Sequence, residues 1–131
     1  MKDIIKKIIK EEIDKMQIPQ YLYHATYKPL LKKIKEFGLD SSRGRQLWDD
    51  SVKGYTYLSD DKDYAASFAE STDAEIPDSW IDNIIILTID TNKIDKEKLF
   101  IDANNTDEQN STFEYHGVIP FSSIVKVENY Y

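Results

Sequence analysis

Apolar residues recur at helical spacing in three stretches in the first half of the chain. Residues 3–16 place isoleucines on one face and lysines and acids on the other, so we predict an amphipathic helix that ends before Pro19. Residues 27–37 repeat this pattern and lead into Gly38, a residue favoured at the C-terminal end of a helix. Residues 60–71, DDKDYAASFAES, predict a third, alanine-rich helix. The apolar positions of the second helix are Leu30, Leu31, Ile34 and Phe37.

Shorter runs are rich in β-branched and aromatic residues, which favour strands. They occupy residues 21–26, 55–59, 83–90, 98–102, 113–119 and 124–130. Polar segments without a hydrophobic period predict loops. These loops are residues 40–54, 71–81 and 103–112. Because helices come early and strands late, the order predicts an α+β domain with largely antiparallel sheets.

The composition is that of a soluble protein. The chain has 131 residues, of which 40% are hydrophobic and 31% charged, and this predicts a single domain over residues 1–131. Its first part, residues 1–18, is the N-terminal amphipathic helix, which is too charged to be a signal peptide. No run reaches the roughly 18 apolar residues of a membrane helix, and the lack of cysteine fits a reducing compartment. We therefore expect a cytoplasmic protein that does not bind a membrane.

Charge and motif spacing narrow the possible chemistry. The formal net charge of −7 disfavours nonspecific binding to duplex nucleic acid. The histidines, His24 and His116, lie far apart without metal-site spacing, so no metal site is predicted. The sequence also lacks the GxSxG elbow of serine hydrolases and a glycine-rich phosphate loop. Both arginines, Arg43 and Arg45, lie in one predicted loop, and arginine is well suited to bind phosphate or carboxylate.

Four separated segments together carry a more specific signal. They are YHAT around His24, FGL at the end of the second helix, GYTYLS followed by the alanine-rich helix, and EYHGVIPFSSI from Glu114. In this order they resemble the ADP-ribosyltransferase fold family. The closer resemblance is to its His-Tyr-Glu branch, which includes diphtheria-type toxins and poly(ADP-ribose) polymerases. The resemblance runs from about Leu22 to Val127, and it implies two small, mostly antiparallel sheets packed around a cleft, with an N-terminal helix and two further helices.

The resemblance also implies a reaction and assigns residues to it. The family transfers ADP-ribose from NAD, which is a co-substrate, and releases nicotinamide without a metal. His24 would bind the ribose on the adenosine side, the backbone of Ala25 would hold the nicotinamide amide, and Thr26 completes this cofactor-binding motif. Tyr57 would pack on the nicotinamide ring, with Phe68 as the second aromatic residue of the pocket. A serine of many relatives is replaced here by Ala65, which removes one hydrogen bond to the amide.

Glu114 has the clearest chemical role, and with His24 and Tyr57 it forms the predicted catalytic triad. Positive charge builds on the ribose as the bond to nicotinamide breaks, and a fixed carboxylate stabilises that charge. A strand places His116 on the same face as Glu114, within reach of an acceptor. Arg43 and Arg45 are candidates to bind the NAD pyrophosphate.

Each of these residues also has a purely structural reading. His24 can be a core histidine bonded to backbone, Tyr57 and Phe68 can be core aromatics, and Glu114 can lie exposed on an edge strand. The arginines can be solvated. The stripe of helix 1–18 can pack on the sheet or bind a protein partner.

The alternatives for the whole protein stay open in the same way. We expect a small, toxin-like glycosyltransferase whose acceptor, a protein or a nucleic acid, is unidentified. The alternatives are a non-catalytic module that binds NAD or a protein, and an enzyme of the RNA 2′-phosphotransferase type. The low arginine and histidine content argues against the latter.

Overall fold

The computed structural model describes residues 18–40, 55–70, 77–101 and 111–130. The strands are β1 Tyr21–Tyr27, β2 Tyr55–Ser59, β3 Ile84–Asp90, β4 Leu99–Ile101, β5 Thr112–His116 and β6 Ile124–Asn129. The α-helices are α1 Leu31–Phe37, α2 Lys62–Glu70 and α3 Asp78–Ile81. Short 3-10 helices occupy Lys28–Leu30, Thr91–Lys93, Lys96–Lys98 and Phe121–Ser123. The predicted N-terminal helix lies outside the described residues, apart from Ile18.

The described strands form one six-stranded antiparallel sheet in the order β4-β5-β2-β1-β3-β6. The α+β class with antiparallel pairing is therefore confirmed. In place of the two separate sheets that we predicted, the described strands form a single sheet, and the pairing between its two central strands, β2 and β1, is very short. β1 pairs with β3 along all seven residues but with β2 only at Tyr23 and Ser59. This single pair, the central junction, links a β4-β5-β2 half to a β1-β3-β6 half.

The larger apolar cluster lies on the face of the sheet that α1 covers. It includes Leu22 of β1, Ile85, Leu87 and Ile89 of β3, and Phe113 and Tyr115 of β5. In β3 and β5 every second residue contributes, as the two-residue period of a strand requires. Ile34 of α1 packs into this cluster as predicted, whereas Phe37 is 43% exposed. The helix ends directly after Phe37, and that side chain is not among those packed against the cluster.

The opposite face of the β1-β3-β6 half is covered by α2. Ala65, Ala66 and Ala69 are its buried residues, and their small side chains let the helix lie close to the sheet. A second cluster forms there around Tyr27, Ala69 and Ile84, with Trp80 and Tyr130 at its edge. β3 is consequently buried on both faces, which explains its continuous apolar run.

Two predicted boundaries moved for local reasons. The predicted strand 113–119 ends at His116, because Gly117 follows with φ 155° and Ile119 forms an isolated bridge to Leu39 instead. The predicted loop 71–81 contains α3 at its end, where Pro77 precedes the first helical residue. In the ranges that the structure describes, no helix has the length and apolar content needed to cross a membrane.

Candidate functional site

A pocket opens beside the central junction of the sheet. Its lining residues come from β1, β2 and α2: His24, Ala25, Tyr57, Leu58, Ser59, Ala65 and Phe68. It holds about 260 Å³ of empty space, counting the part open to solvent. The cavity itself measures about 20 Å³, which is room for about one water molecule, so it is far smaller than a usual ligand pocket of about 300–1,000 Å³.

The sequence explains why a pocket exists at this position. The registered pairing between β1 and β2 is limited to Tyr23 and Ser59, so the ladder does not close the sheet next to Ala25. Ala65 of α2 is buried with only a methyl group as its side chain, which leaves space between the helix and the strands. The aromatic ring of Phe68, one helical turn further, then forms part of the wall.

The start of α2 is held to β2 by local hydrogen bonds. The Oγ of Ser59 accepts from the backbone N–H of Asp61 at 3.2 Å. Asp61 Oδ1 accepts in turn from the N–H of Tyr64 at 2.8 Å and caps the helix. Within α2, the rings of Tyr64 and Phe68 meet edge to face with centroids 5.2 Å apart. These contacts fix the direction in which Phe68 enters the pocket.

His24 has a defined tautomer. Its Nδ1 lies 2.8 Å from the backbone oxygen of Tyr57, and since a carbonyl only accepts, Nδ1 carries the proton and donates. Burial lowers the pKa of His24 from its ordinary 6.5, against the smaller opposing effect of this hydrogen bond. The imidazole is therefore neutral at pH 7, and its Nε2 is a hydrogen-bond acceptor.

Glu114 lies one strand away from the pocket. It is the direct partner of Tyr57 across β2 and β5, so the two side chains stand on the same face of the sheet. It does not line the pocket itself. Its Oε2 accepts a hydrogen bond from Nε2 of His116 at 2.8 Å. A carboxylate is thus placed beside the aromatic wall formed by Tyr57.

The predicted site residues therefore fall into three groups. His24, Ala25, Tyr57 and Phe68 come together in one pocket, with Glu114 on the neighbouring strand. Thr26 is buried in β1, at 6% exposure, and does not line the pocket. Arg43 and Arg45 lie outside the described residues, as does most of the loop that contains them.

The sequence did not predict the surroundings of His116. Its ring stacks on Tyr55, with parallel planes and centroids 3.7 Å apart, and meets Phe100 at 4.4 Å. The i, i+2 spacing of Glu114 and His116 was a usable signal for a shared face. The stacking partners come from β2 and β4, and only the strand order brings them together.

Among the described residues, no group of three or more His, Cys, Asp or Glu side chains is placed to hold a metal ion.

Comparisons with known proteins leave the family open. The sequence matches no model of a known protein family and has no significant match among curated proteins. The geometry of the pocket and the chemistry of Glu114 are therefore the features that support a function.

Proposed function

We propose that this protein is an ADP-ribosyltransferase. It binds NAD at the pocket beside the central junction, cleaves the bond between nicotinamide and ribose, and transfers ADP-ribose to an acceptor. One observation carries the proposal. His24, Tyr57 and Phe68, far apart in sequence, share one pocket, and Glu114 faces the same side of the sheet as Tyr57.

The chemistry of the pocket lining supports binding of the nicotinamide end of NAD. An aromatic ring gains most from offset or edge contacts with other rings, and Tyr57 and Phe68 offer two such surfaces in the pocket wall. The Ala25 backbone is the partner for the carboxamide. Ala65 has no hydroxyl to add a second polar contact, so binding of this group relies on the β1 backbone and on ring contacts. Nε2 of the neutral His24 accepts a hydrogen bond from a ribose hydroxyl.

The proposed reaction depends on the positive charge that develops on the ribose. When the bond from ribose C1′ to nicotinamide breaks, the electron pair leaves with the ring nitrogen, and nicotinamide departs as a neutral molecule. The ribose keeps the positive charge, which the Glu114 carboxylate stabilises. The acceptor forms its new bond at C1′ and gives up its proton to a base, a role that we assign to Glu114.

The direct test compares nicotinamide release from NAD by the parent and by Glu114→Gln. This substitution keeps the size of the side chain and removes its charge. We expect the rate to fall by roughly 10²-fold or more, with a much smaller change in NAD affinity, because the carboxylate interacts most strongly with the charge that develops on the ribose as the bond breaks. Glu36→Gln, at an exposed position of α1, is the matched control and should keep the parental rate.

The same assay separates the alternatives. Ala65 in the pocket wall favours a second candidate, a module that binds NAD without turnover, and NAD binding by the parent without nicotinamide release would support it. An RNA 2′-phosphotransferase would release nicotinamide only with RNA that carries a 2′-phosphate. Release that depends on protein or nucleic acid from a lysate, followed by mass spectrometry, would identify the acceptor of a transferase.

A further inference from the structure

One face of the β4-β5-β2 half carries a row of aromatic and ionisable side chains that the proposed reaction uses only in part. Tyr55 pairs with His116, Tyr57 with Glu114, and Glu114 also with Phe100 on its other side. Directly opposed residues of antiparallel strands project to the same face. All five side chains therefore form one contiguous group, which we call the Glu114 cluster.

The central contact of the Glu114 cluster is a charge-assisted hydrogen bond. Nε2 of His116 donates to Oε2 of Glu114 at 2.8 Å, with 30% of the histidine and 23% of the glutamate side chain exposed. A pair shielded to this extent is less weakened by solvent than one on an open surface. His116 thus binds one carboxylate oxygen, Oε2, and leaves Oε1 outside this hydrogen bond.

The imidazole ring is itself held in place by its neighbours. Tyr55 lies parallel to it at 3.7 Å between centroids, and Phe100 approaches at 4.4 Å with an angle of 32° between the planes. These rings belong to the two strands on either side of β5. These contacts hold the plane of the imidazole, and the hydrogen bond to Glu114 selects which edge of the ring carries the N–H toward the carboxylate.

We infer that His116 is a positioning residue for Glu114, which it holds in the one orientation where Oε1 meets the ribose of NAD. This inference rests on the proposed function. A glutamate has several rotatable bonds, and a carboxylate that must be ordered during the reaction stabilises the transition state less than one already fixed. His116 acts through Glu114, and Tyr55 and Phe100 act through His116.

A pair of His116 variants separates positioning from packing. His116→Phe keeps a flat ring between Tyr55 and Phe100 but removes the N–H donor. His116→Gln keeps a side-chain N–H donor and gives up the ring. We expect His116→Phe to lower kcat about tenfold or more, while KM for NAD stays within about twofold of the parent. A tenfold lower rate is the effect of losing one interaction of ordinary strength in the transition state.

Two further measurements of kcat test the same positioning role. His116→Gln should recover a large part of the lost kcat, although it packs less well. Adding His116→Phe to Glu114→Gln should change kcat little, because a residue that acts through Glu114 has nothing to position once the carboxylate is absent. Thermal melts of each variant, followed by circular dichroism, are the control for whether the fold is kept.

The outcomes are distinct for the two proposals. Parental kcat in His116→Phe, or a full extra loss when it is added to Glu114→Gln, overturns the positioning role and leaves the transferase proposal standing. A parent that releases no nicotinamide under any condition overturns the transferase proposal, and the positioning role falls with it.

Discussion

At the residue scale, the properties of His24 come from its surroundings rather than from its type. An exposed histidine titrates near neutral pH, but burial lowers the pKa of His24, and the Tyr57 carbonyl holds the proton on Nδ1. The result is a neutral ring with a fixed acceptor at Nε2. The hydrogen bond from Nδ1 to the backbone supports the structural reading of His24, whereas its role in binding a ligand stays a prediction.

This environment predicts an acid-dependent loss of stability. The pKa of His24 in the folded state lies below the value of 6.5 that it has when exposed. The unfolded chain then binds the proton more readily, so stability is fully present above pH 6.5 and falls as the pH drops toward the folded pKa. Urea unfolding of the parent and of His24→Gln from pH 8 to pH 5 should show the parent losing stability relative to the variant below pH 6.5.

A constant offset between the two unfolding series at every pH would contradict this assignment. The same protonation removes the Nε2 acceptor. NAD affinity of the parent should therefore stay level through pH 6.5 and weaken only as the pH approaches the pKa of His24 in the folded protein, which lies below 6.5.

At the scale of elements, the turn after α1 is tied to the segment after β5. Gly38 donates its N–H to Ile34 O at 2.8 Å and takes φ 78° and ψ −175°, a conformation that is almost confined to glycine. Leu39 and Ile119 then exchange two backbone hydrogen bonds of 2.8 and 3.0 Å. A Cβ at position 38 would lie 2.5 Å from the oxygen of Ile119. The FGL and VIP segments are thus one structural unit.

Gly38→Ala should therefore destabilise the protein by more than helix propensity explains. Backbone strain at such a conformation costs roughly 1–3 kcal/mol, and the clash with the Ile119 carbonyl adds to it. Lys35→Ala, on the exposed side of the same helix, is the control and should change the free energy of unfolding by less than about 0.5 kcal/mol. Equal unfolding midpoints in denaturant for the two variants would refute the role of the bridge.

At the scale of the whole molecule, the sheet has an apolar cluster on each face. The smaller one depends on Tyr27, which is fully buried and whose hydroxyl donates to Ala69 O at 2.7 Å. This bond joins the end of β1 to the end of α2, and so fixes the helix over the half of the sheet beside the pocket. Burial raises the pKa of Tyr27 to about 12.

Tyr27→Phe should alter the dependence of overall stability on pH. At pH 7 the variant loses the hydrogen bond to Ala69, at a cost of about 1 kcal/mol. The parent keeps its stability below pH 10, the ordinary value of an exposed tyrosine, and loses it as the pH rises toward about 12. In denaturant unfolding at pH 7 and pH 11, the difference between parent and variant should shrink or reverse at the higher pH. An unchanged difference would show that this hydroxyl is not buried in solution.

The sequence by itself determined where most described elements lie. The run of isoleucines in β3, the stripe of α1 and the glycine at its end follow from local preference and period, which depend only on neighbours along the chain. The resemblance to the ADP-ribosyltransferase fold family, rather than period or preference, selected His24, Tyr57 and Glu114 as residues of interest.

Only the tertiary structure decided how these residues meet. The single Tyr23–Ser59 pair at the central junction, the pocket that opens beside it, and the enclosure of His116 by Tyr55 and Phe100 all depend on strand order. The chain determines period and propensity locally. Strand order, by contrast, is set by the packing of both faces at once, and no short stretch of sequence encodes it.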